Sequence, residues 1–242
     1  MVSTTISHQQ KIAICLLVLY WPALFILAHV PIPHVIQKAD VADKSLHFLA
    51  YLILTFLLWS AVSGDQKVKW RRAVPWLVIL VMVIYGILDE WLQGYIAGRI
   101  CDVSDFIADL TGVLSALVLS SFLAFWPAGL LVTAVFIFGI TNITRVNLSD
   151  LLPVTSAAFH VLAYAILTVI WINCTYLFSA VKASTVGWFI LALAGPVGFL
   201  IIVKFSSLIA GKDLALFDII IAFGAIAAVV TAFYVRRSKQ VP

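Results

Sequence analysis

The segment DKSLHFLAY, residues 43–51, leads into a stretch that the sequence nearly repeats further along the chain. Residues 49–59 read LAYLILTFLLW and residues 162–172 read LAYAILTVIWI. A histidine stands two places ahead of each stretch, His47 in the first and His160 in the second. The two stretches therefore define a common register for the two halves of the chain.

That register continues downstream through polar positions. Arg99 corresponds to Lys212 and Asp105 corresponds to Asp218 at the same offset. Matches among Leu, Ile and Ala arise easily by chance in an apolar protein, but a register kept through histidine, tyrosine, basic and aspartate positions does not. We therefore predict an internal duplication, with the polar residues concentrated in the first copy.

The composition is that of a membrane protein, with 64% hydrophobic residues, 11% charged residues and a mean hydropathy of +1.13. We predict an all-α integral membrane protein of about eight transmembrane helices, as two parallel four-helix repeats at 1–126 and 127–242. Trp126-Pro127 is expected to separate the fourth helix from the fifth, because proline lacks a backbone donor. A bilayer core needs about 20 apolar residues per helix, and apolar runs near that length lie at about 12–30, 45–63, 75–93, 103–125, 128–143, 155–178, 185–203 and 214–235.

The first apolar run is interpreted as an uncleaved anchor, because it is long for a signal peptide and no small-residue cleavage site follows it cleanly. The orientation follows from lysines and arginines in short loops, which favour the cytoplasmic side. We predict that both termini are cytoplasmic, since the side of the N-terminus carries more of these residues. They are Lys11, Lys67, Lys69, Arg71, Arg72, Lys182, Arg236, Arg237 and Lys239, against Lys38, Lys44, Arg99, Arg145, Lys204 and Lys212 on the outer side.

The acidic residues are concentrated on the outer side, where ten of the eleven fall; Asp65 is the exception. Helical spacing groups several polar residues into stripes, because positions three or four apart share a face. The stripes are Asp43, His47 and Tyr51; Glu90 and Gln93; and Asp105, Asp109 and Gly112, where the glycine allows another backbone to approach closely. If these helices pack together, the residues expected to converge are His47, Glu90, Gln93, Arg99, Asp105 and Asp109.

Glu90 is the strongest single indication of function. A carboxylate between Leu88 and Trp91 costs several kcal/mol in a membrane unless it is paired or hydrated. Its expected partners are His47 and Arg99. Asp89 cannot share the face of Glu90 and is expected to be solvated.

The other polar residues also have ordinary structural interpretations. Asp43 and Asp105 fit caps at helix N-termini. Lys44 fits a side chain that extends toward the headgroups. Tyr51 fits an aromatic residue at the membrane interface, and His29 is interpreted in the same way.

These residues carry a resemblance as well. The patterns DK-x2-H-F-x2-Y, E-x2-Q, R and D-x6-G resemble the VanZ-like family, named for a teicoplanin-resistance membrane protein, over roughly residues 12–125. The family implies a bacterial envelope protein linked to lipoglycopeptide susceptibility. Position 109 departs from the family pattern, which usually has Asn where this chain has Asp109. The signature residues implied by the resemblance are Asp43, Lys44, His47, Glu90, Gln93, Arg99 and Asp105.

The second half looks like a degenerate copy of the same unit. It keeps His160, Tyr164, Lys212 and Asp218, but places Val203 at the Glu90 position and Ser206 at the Gln93 position. We therefore expect the second copy to serve mainly as a scaffold.

Our leading hypothesis is a multi-pass protein of the bacterial inner membrane, with an outer-face site for an anionic lipid or cell-wall precursor headgroup. His47 and Glu90 are the candidate acid–base pair. The three cysteines show neither a disulfide nor a zinc spacing, no metal site or cofactor motif is recognised, and nothing indicates nucleic-acid binding. The candidate binding residues are Asp43, Lys44, Gln93, Arg99, Asp105 and Asp109.

Several alternatives stay open at this point. The parallel repeats also fit a transporter or flippase. A non-enzymatic binder of envelope lipids fits the same residues. A cation site fits because acids outnumber bases on the outer side. The sequence does not choose among these, and it does not define the oligomeric state.

Overall fold

A computed structural model describes residues 6–30, 43–97, 99, 101–143, 152–178 and 185–238. Those residues form eight helices, each long and apolar enough to cross a membrane, which confirms the predicted all-α fold with eight spans. They are α1 (His8–Ala28), α2 (Asp43–Ser63), α3 (Ala73–Gln93), α4 (Val103–Phe122), α5 (Phe125–Ile143), α6 (Pro153–Phe178), α7 (Val186–Ile209) and α8 (Leu216–Ser238).

The chain forms two compact units, Met1–Val132 and Thr133–Pro242. Within the first unit α2 packs chiefly against α4, and within the second unit α6 packs chiefly against α8. These are the helices that the predicted duplication equates. The unit boundary lies inside α5, a few residues after the predicted repeat boundary at 126. The duplication and the parallel arrangement of its copies stay predictions.

Helix α2 is the core of the first unit. Over half of its most apolar window (56%) is buried, against 6% for α1. Its side chains pack on both sides, with Tyr51 and Leu54 in one buried cluster and Leu52 and Phe56 in another. The stretch at 49–59, which defines the register between the two halves of the sequence, therefore also lies at the centre of the hydrophobic core of the first unit.

Gly112 is where α4 comes closest to α2. A Cβ atom at this position would lie 2.5 Å from the Phe48 carbonyl oxygen and 2.9 Å from the Leu52 backbone nitrogen. Real Cβ atoms do not make such contacts, so only glycine fits without a backbone shift. The predicted role of Gly112 in close approach of another backbone is confirmed.

The break between α4 and α5 lies earlier than Trp126-Pro127. Helix α4 is followed by Leu123 in an extended conformation, and α5 already begins at Phe125. Pro127 falls in the first turn of α5, where a missing N–H leaves no hydrogen bond unmade. The Asp65 carboxylate instead accepts a hydrogen bond from the Phe125 N–H at 2.8 Å, which gives this acidic residue a structural role.

The predicted orientation can be tested by thiol labelling. Cys101 is exposed just before α4, and Lys67 is exposed in the turn after α2, at the other end of the first unit. With Cys15 and Cys174 replaced by Ser, an impermeant maleimide should label Cys101 in intact cells. It should not label a Lys67→Cys variant that lacks Cys101. The reverse pattern would place the termini outside.

Candidate functional site

The polar site of the first unit lies where three helices meet. Helix α2 begins at this end, α3 returns to it, and α4 begins there again. The structure brings His47 of α2, Glu90 of α3 and Asp109 of α4 into one buried cluster, as their spacing predicted. Their exposed fractions are 8%, 4% and 1%, respectively.

His47 is at the centre of this cluster. Its Nδ1 atom lies 3.0 Å from Asp109 Oδ1 and 3.6 Å from Glu90 Oε1. One ring nitrogen therefore faces two carboxylates from two other helices. Such an arrangement can hold a proton or a cation between its members.

Glu90 is fixed through its other oxygen. Its Oε2 atom accepts a hydrogen bond from the Asp102 backbone N–H at 3.2 Å, while its Oε1 atom is buried and finds no hydrogen-bond partner in the described ranges. The predicted pairing with Arg99 is wrong, since no ion pair joins these two side chains in the described part of the chain. Arg99 instead donates from Nη1 to Gln93 Oε1 at 3.2 Å, because its loop directs it to the helix end one turn further on.

Lys44 forms a second, more exposed layer. Its ammonium donates to Ser104 Oγ at 2.7 Å, and lies 3.2 Å from Asp102 Oδ2 and 3.3 Å from Asp105 Oδ1. The Lys44 side chain is 58% exposed. Lys44 therefore joins the start of α2 to the start of α4 while its side chain remains largely exposed.

The cap of α4 is Asp102, so the interpretation of Asp105 as a cap is wrong. Asp102 Oδ1 accepts from the Ser104 N–H at 2.9 Å. Hydrogen bonds from Ser104 and from the Lys44 ammonium lower the pKa of Asp102 to about 2. Asp105 is buried and accepts a hydrogen bond from the Lys44 ammonium instead of capping the helix. Asp43 is the first residue of α2 and is exposed.

Asp89 is the acidic residue that sequence reasoning misplaced. It is 3% exposed rather than solvated, and its Oδ2 atom accepts from Gln93 Nε2 at 2.8 Å. Its Oδ1 atom lies 3.9 Å from His29 Nδ1 at the end of α1. Asp89 thus faces the end of α1, where His29 Nδ1 also lies 2.8 Å from the Phe25 carbonyl oxygen, so His29 borders the site.

Two tyrosines border the buried acids. Tyr51 is 2% exposed, so its predicted place at the membrane interface is wrong. Its ring lies 5.7 Å from that of Tyr85, and both hydroxyl groups are buried without a hydrogen-bond partner. The four-residue spacing from His47 and the pattern DK-x2-H-F-x2-Y both pointed to Tyr51, whereas no sequence signal pointed to Tyr85.

The charge at this end of the first unit is strongly acidic. Two full cations stand against six carboxylates among the residues that the structure describes here, and both cations already contact groups of the chain. The inner layer therefore needs positive charge, from protons or from a bound cation, to offset the cost of burial. The carboxylates are Asp43, Asp89, Glu90, Asp102, Asp105 and Asp109, and the cations are Lys44 and Arg99.

The corresponding region of the second unit has different chemistry. His160 Nε2 lies 3.8 Å from Asp218 Oδ2, and Ser156 Oγ donates to Asp218 Oδ1 at 3.2 Å. Lys204, assigned from sequence to the outer side, lies within α7 and contacts Asp218 Oδ2 at 3.3 Å. A buried lysine thus stands near the histidine, one position after Val203, the residue that corresponds to Glu90.

Lys212 of the second unit is also partly enclosed. Its ammonium donates to the Thr141 carbonyl oxygen at 2.7 Å. Burial, and to a smaller degree the nearby Lys204 charge, lowers the pKa of Lys212. Two lysines, Lys204 and Lys212, stand against two aspartates, Asp213 and Asp218, so this region lacks the acidic excess of the first unit within the described residues.

The fold and site define a polytopic helical membrane protein with a buried histidine–carboxylate cluster at one end of its first unit. The VanZ/LLP1 family model matches residues 3–126, just over half of the chain and all of this cluster. The chain belongs to the VanZ/LLP1 family, as its motifs indicated. No match was found among curated proteins or among solved structures.

Proposed function

We propose that this protein lies in the bacterial inner membrane and binds the anionic headgroup of a lipid or of a lipid-linked cell-wall precursor. The observation that supports it is the layered site of the first unit. An exposed ammonium, that of Lys44, stands one turn above the buried His47 on the same face of α2.

The contacts of Lys44 suit exchange with a ligand. Exposed ion pairs contribute only about 0–1 kcal/mol, so a phosphate oxygen can replace Asp102 or Ser104 at little cost. Arg99 supplies a second cation, and its buried Nε atom has no hydrogen-bond partner within the described part of the chain. A planar guanidinium with a free donor suits phosphate and carboxylate groups.

The buried layer below decides whether binding is followed by chemistry. His47 and Glu90 could exchange a proton with a headgroup held by Lys44, which is the enzymatic form of the proposal. A binder without catalysis needs only the outer layer. The flippase alternative gains no support, because the interior of the first unit beyond Tyr51 is filled by apolar side chains such as Leu54, Phe56 and Leu117.

The direct test is headgroup binding by the purified full chain in detergent. Short-chain phosphatidylglycerol should bind and raise the melting temperature, whereas the phosphatidylcholine analogue should not. Lys44→Ala should weaken binding about tenfold, the effect of one lost charge-assisted hydrogen bond. The matched control is Lys69→Ala, an exposed lysine at the other end of the unit. Equal binding of both lipids, or equal effects of the two variants, contradicts the proposal.

The proposed link to glycopeptides needs a cellular measurement. Expression of the parent chain should reduce teicoplanin susceptibility in a sensitive host, and Lys44→Ala should restore it at equal protein level. An unchanged susceptibility would remove the antibiotic link while leaving the headgroup site itself open to the binding assay.

A further inference from the structure

We propose that His47, Glu90 and Asp109 form a binding site for a divalent transition-metal ion of the zinc or manganese type. One ligand atom from each residue lies within 4.8 Å of the others, and all three residues are buried. The residues come from three different helices, which explains why no local sequence motif indicates a metal site.

The separations fit the edges of a coordination polyhedron. Metal–ligand distances of about 2.1 Å place two ligand atoms about 3.0 Å apart at a right angle and about 3.4 Å apart at a tetrahedral angle. The distances from His47 Nδ1 are 3.0 Å to Asp109 Oδ1 and 3.6 Å to Glu90 Oε1. An ion can therefore enter with small side-chain adjustments.

Unpartnered buried atoms point to a ligand independently of this spacing. Glu90 Oε1 and Asp109 Oδ2 are buried and have no hydrogen-bond partner among the residues that the structure describes. Glu90 is oriented by the Asp102 N–H on its other oxygen, the kind of outer contact that fixes metal ligands. A buried carboxylate oxygen left unpaired is costly, and a cation beside it removes that cost.

The ligand set selects the class of ion. One imidazole with two carboxylates suits zinc and manganese, whereas calcium and magnesium prefer oxygen ligands alone. Three protein ligands leave coordination positions open, and the exposed ammonium of Lys44 belongs to the same helix face as His47, one turn away. An ion there would bind the phosphate of a headgroup; that role rests on the proposed function, whereas binding of the ion does not.

The second unit supplies the contrast within the same chain. There Val203 stands at the position of Glu90, so one ligand is missing, and the ammonium of Lys204 contacts Asp218 beside His160. A divalent ion would be repelled from that position. One ion per chain, in the first unit, is the stoichiometry that this difference implies.

The test uses the full chain without a histidine tag, stripped by a chelator and then dialysed against Zn²⁺ or Mn²⁺ alone. Elemental analysis should find one equivalent in the parent chain, and the ion should raise its melting temperature. Glu90→Gln and Asp109→Asn should each retain less than a tenth of the metal. The control is His160→Asn in the second unit, which should retain the full equivalent.

A second variant covers the case in which these two substitutions disturb folding. Asp109→His keeps a ligand at the same place and should bind Co²⁺ with a visible spectrum altered from that of the parent. Absence of stoichiometric metal in the folded parent, or equal metal in the parent and in folded Glu90→Gln, overturns the site. Phosphatidylglycerol binding that survives chelation would separate the two proposals, since it supports the headgroup site without the ion.

Discussion

Gly112→Ala should destabilise the first unit by about 3 kcal/mol, in the upper range for an overpacked core. The added methyl group would lie 2.5 Å from a carbonyl oxygen and 2.9 Å from a backbone nitrogen of α2. Both atoms belong to the backbone of α2 and cannot rotate away as the end of a flexible side chain can. The two helices must therefore separate. Thermal unfolding in detergent measures the loss.

The matched control for this experiment is Gly198→Ala. Gly198 also lies within a helix, α7, and a Cβ atom there would meet nothing within 4 Å. Its replacement should leave the melting temperature unchanged or raise it slightly, since alanine favours helix. A parent-like Gly112→Ala protein would mean that α2 and α4 do not approach as described.

The same substitution should affect the site. His47 lies on α2 and Asp109 on α4, so the separation of these helices sets the 3.0 Å distance between them. Widening the interface would weaken metal binding even in protein that remains folded. Close packing at Gly112, one turn from Asp109, is therefore expected to affect the proposed metal site as well as the stability.

The fold could be predicted from the sequence because eight long apolar runs admit few other interpretations. The convergence of His47, Glu90 and Asp109 was also predictable. Each residue lies on a polar stripe of its helix, and the three helices follow one another along the chain with short connecting loops. The close approach of another backbone at Gly112 was predicted from the stripe that this glycine shares with Asp105 and Asp109. These are features of periodicity and length, which a single sequence contains.

Asp89 and Arg99 show where that reasoning ends. Helix α3 is apolar nearly all round, so its sequence does not say which side meets α1 and which side meets lipid. The rotation that buries both Asp89 and Glu90 comes from tertiary packing. Arg99 lies in a loop, where sequence spacing leaves its direction undetermined, and it contacts Gln93 instead of Glu90.

Lys204 is the clearest case of a hidden polar residue. It stands between Val203 and Phe205 near the end of an apolar run, which favours an interfacial position. The structure buries it to 8% exposure because α8 presents Asp218 opposite to it. The contact depends on how α7 packs against the next helix, α8, which the apolar sequence of α7 does not define.

Lys204→Met should destabilise the second unit by roughly 3–5 kcal/mol, the cost of leaving one charge of a buried pair unmatched. Methionine keeps the volume of the lysine stem, so the loss reports the missing charge and not a cavity. The Asp218 carboxylate would retain only Ser156 as a hydrogen-bond donor within the described contacts. Thermal unfolding of the full chain in detergent is the measurement.

The double variant Lys204→Met with Asp218→Asn should recover most of that stability, because it removes both charges and the amide oxygen can still accept from Ser156. Lys69→Ala, at an exposed lysine of the first unit, should have no effect on the melting temperature. Phosphatidylglycerol binding per folded molecule should stay unchanged in all three variants, since the proposed headgroup site lies in the first unit. If Lys204→Met alone is as stable as the parent, Asp218 carries no charge that needs Lys204; if it abolishes headgroup binding, the second unit is part of the site and not its scaffold.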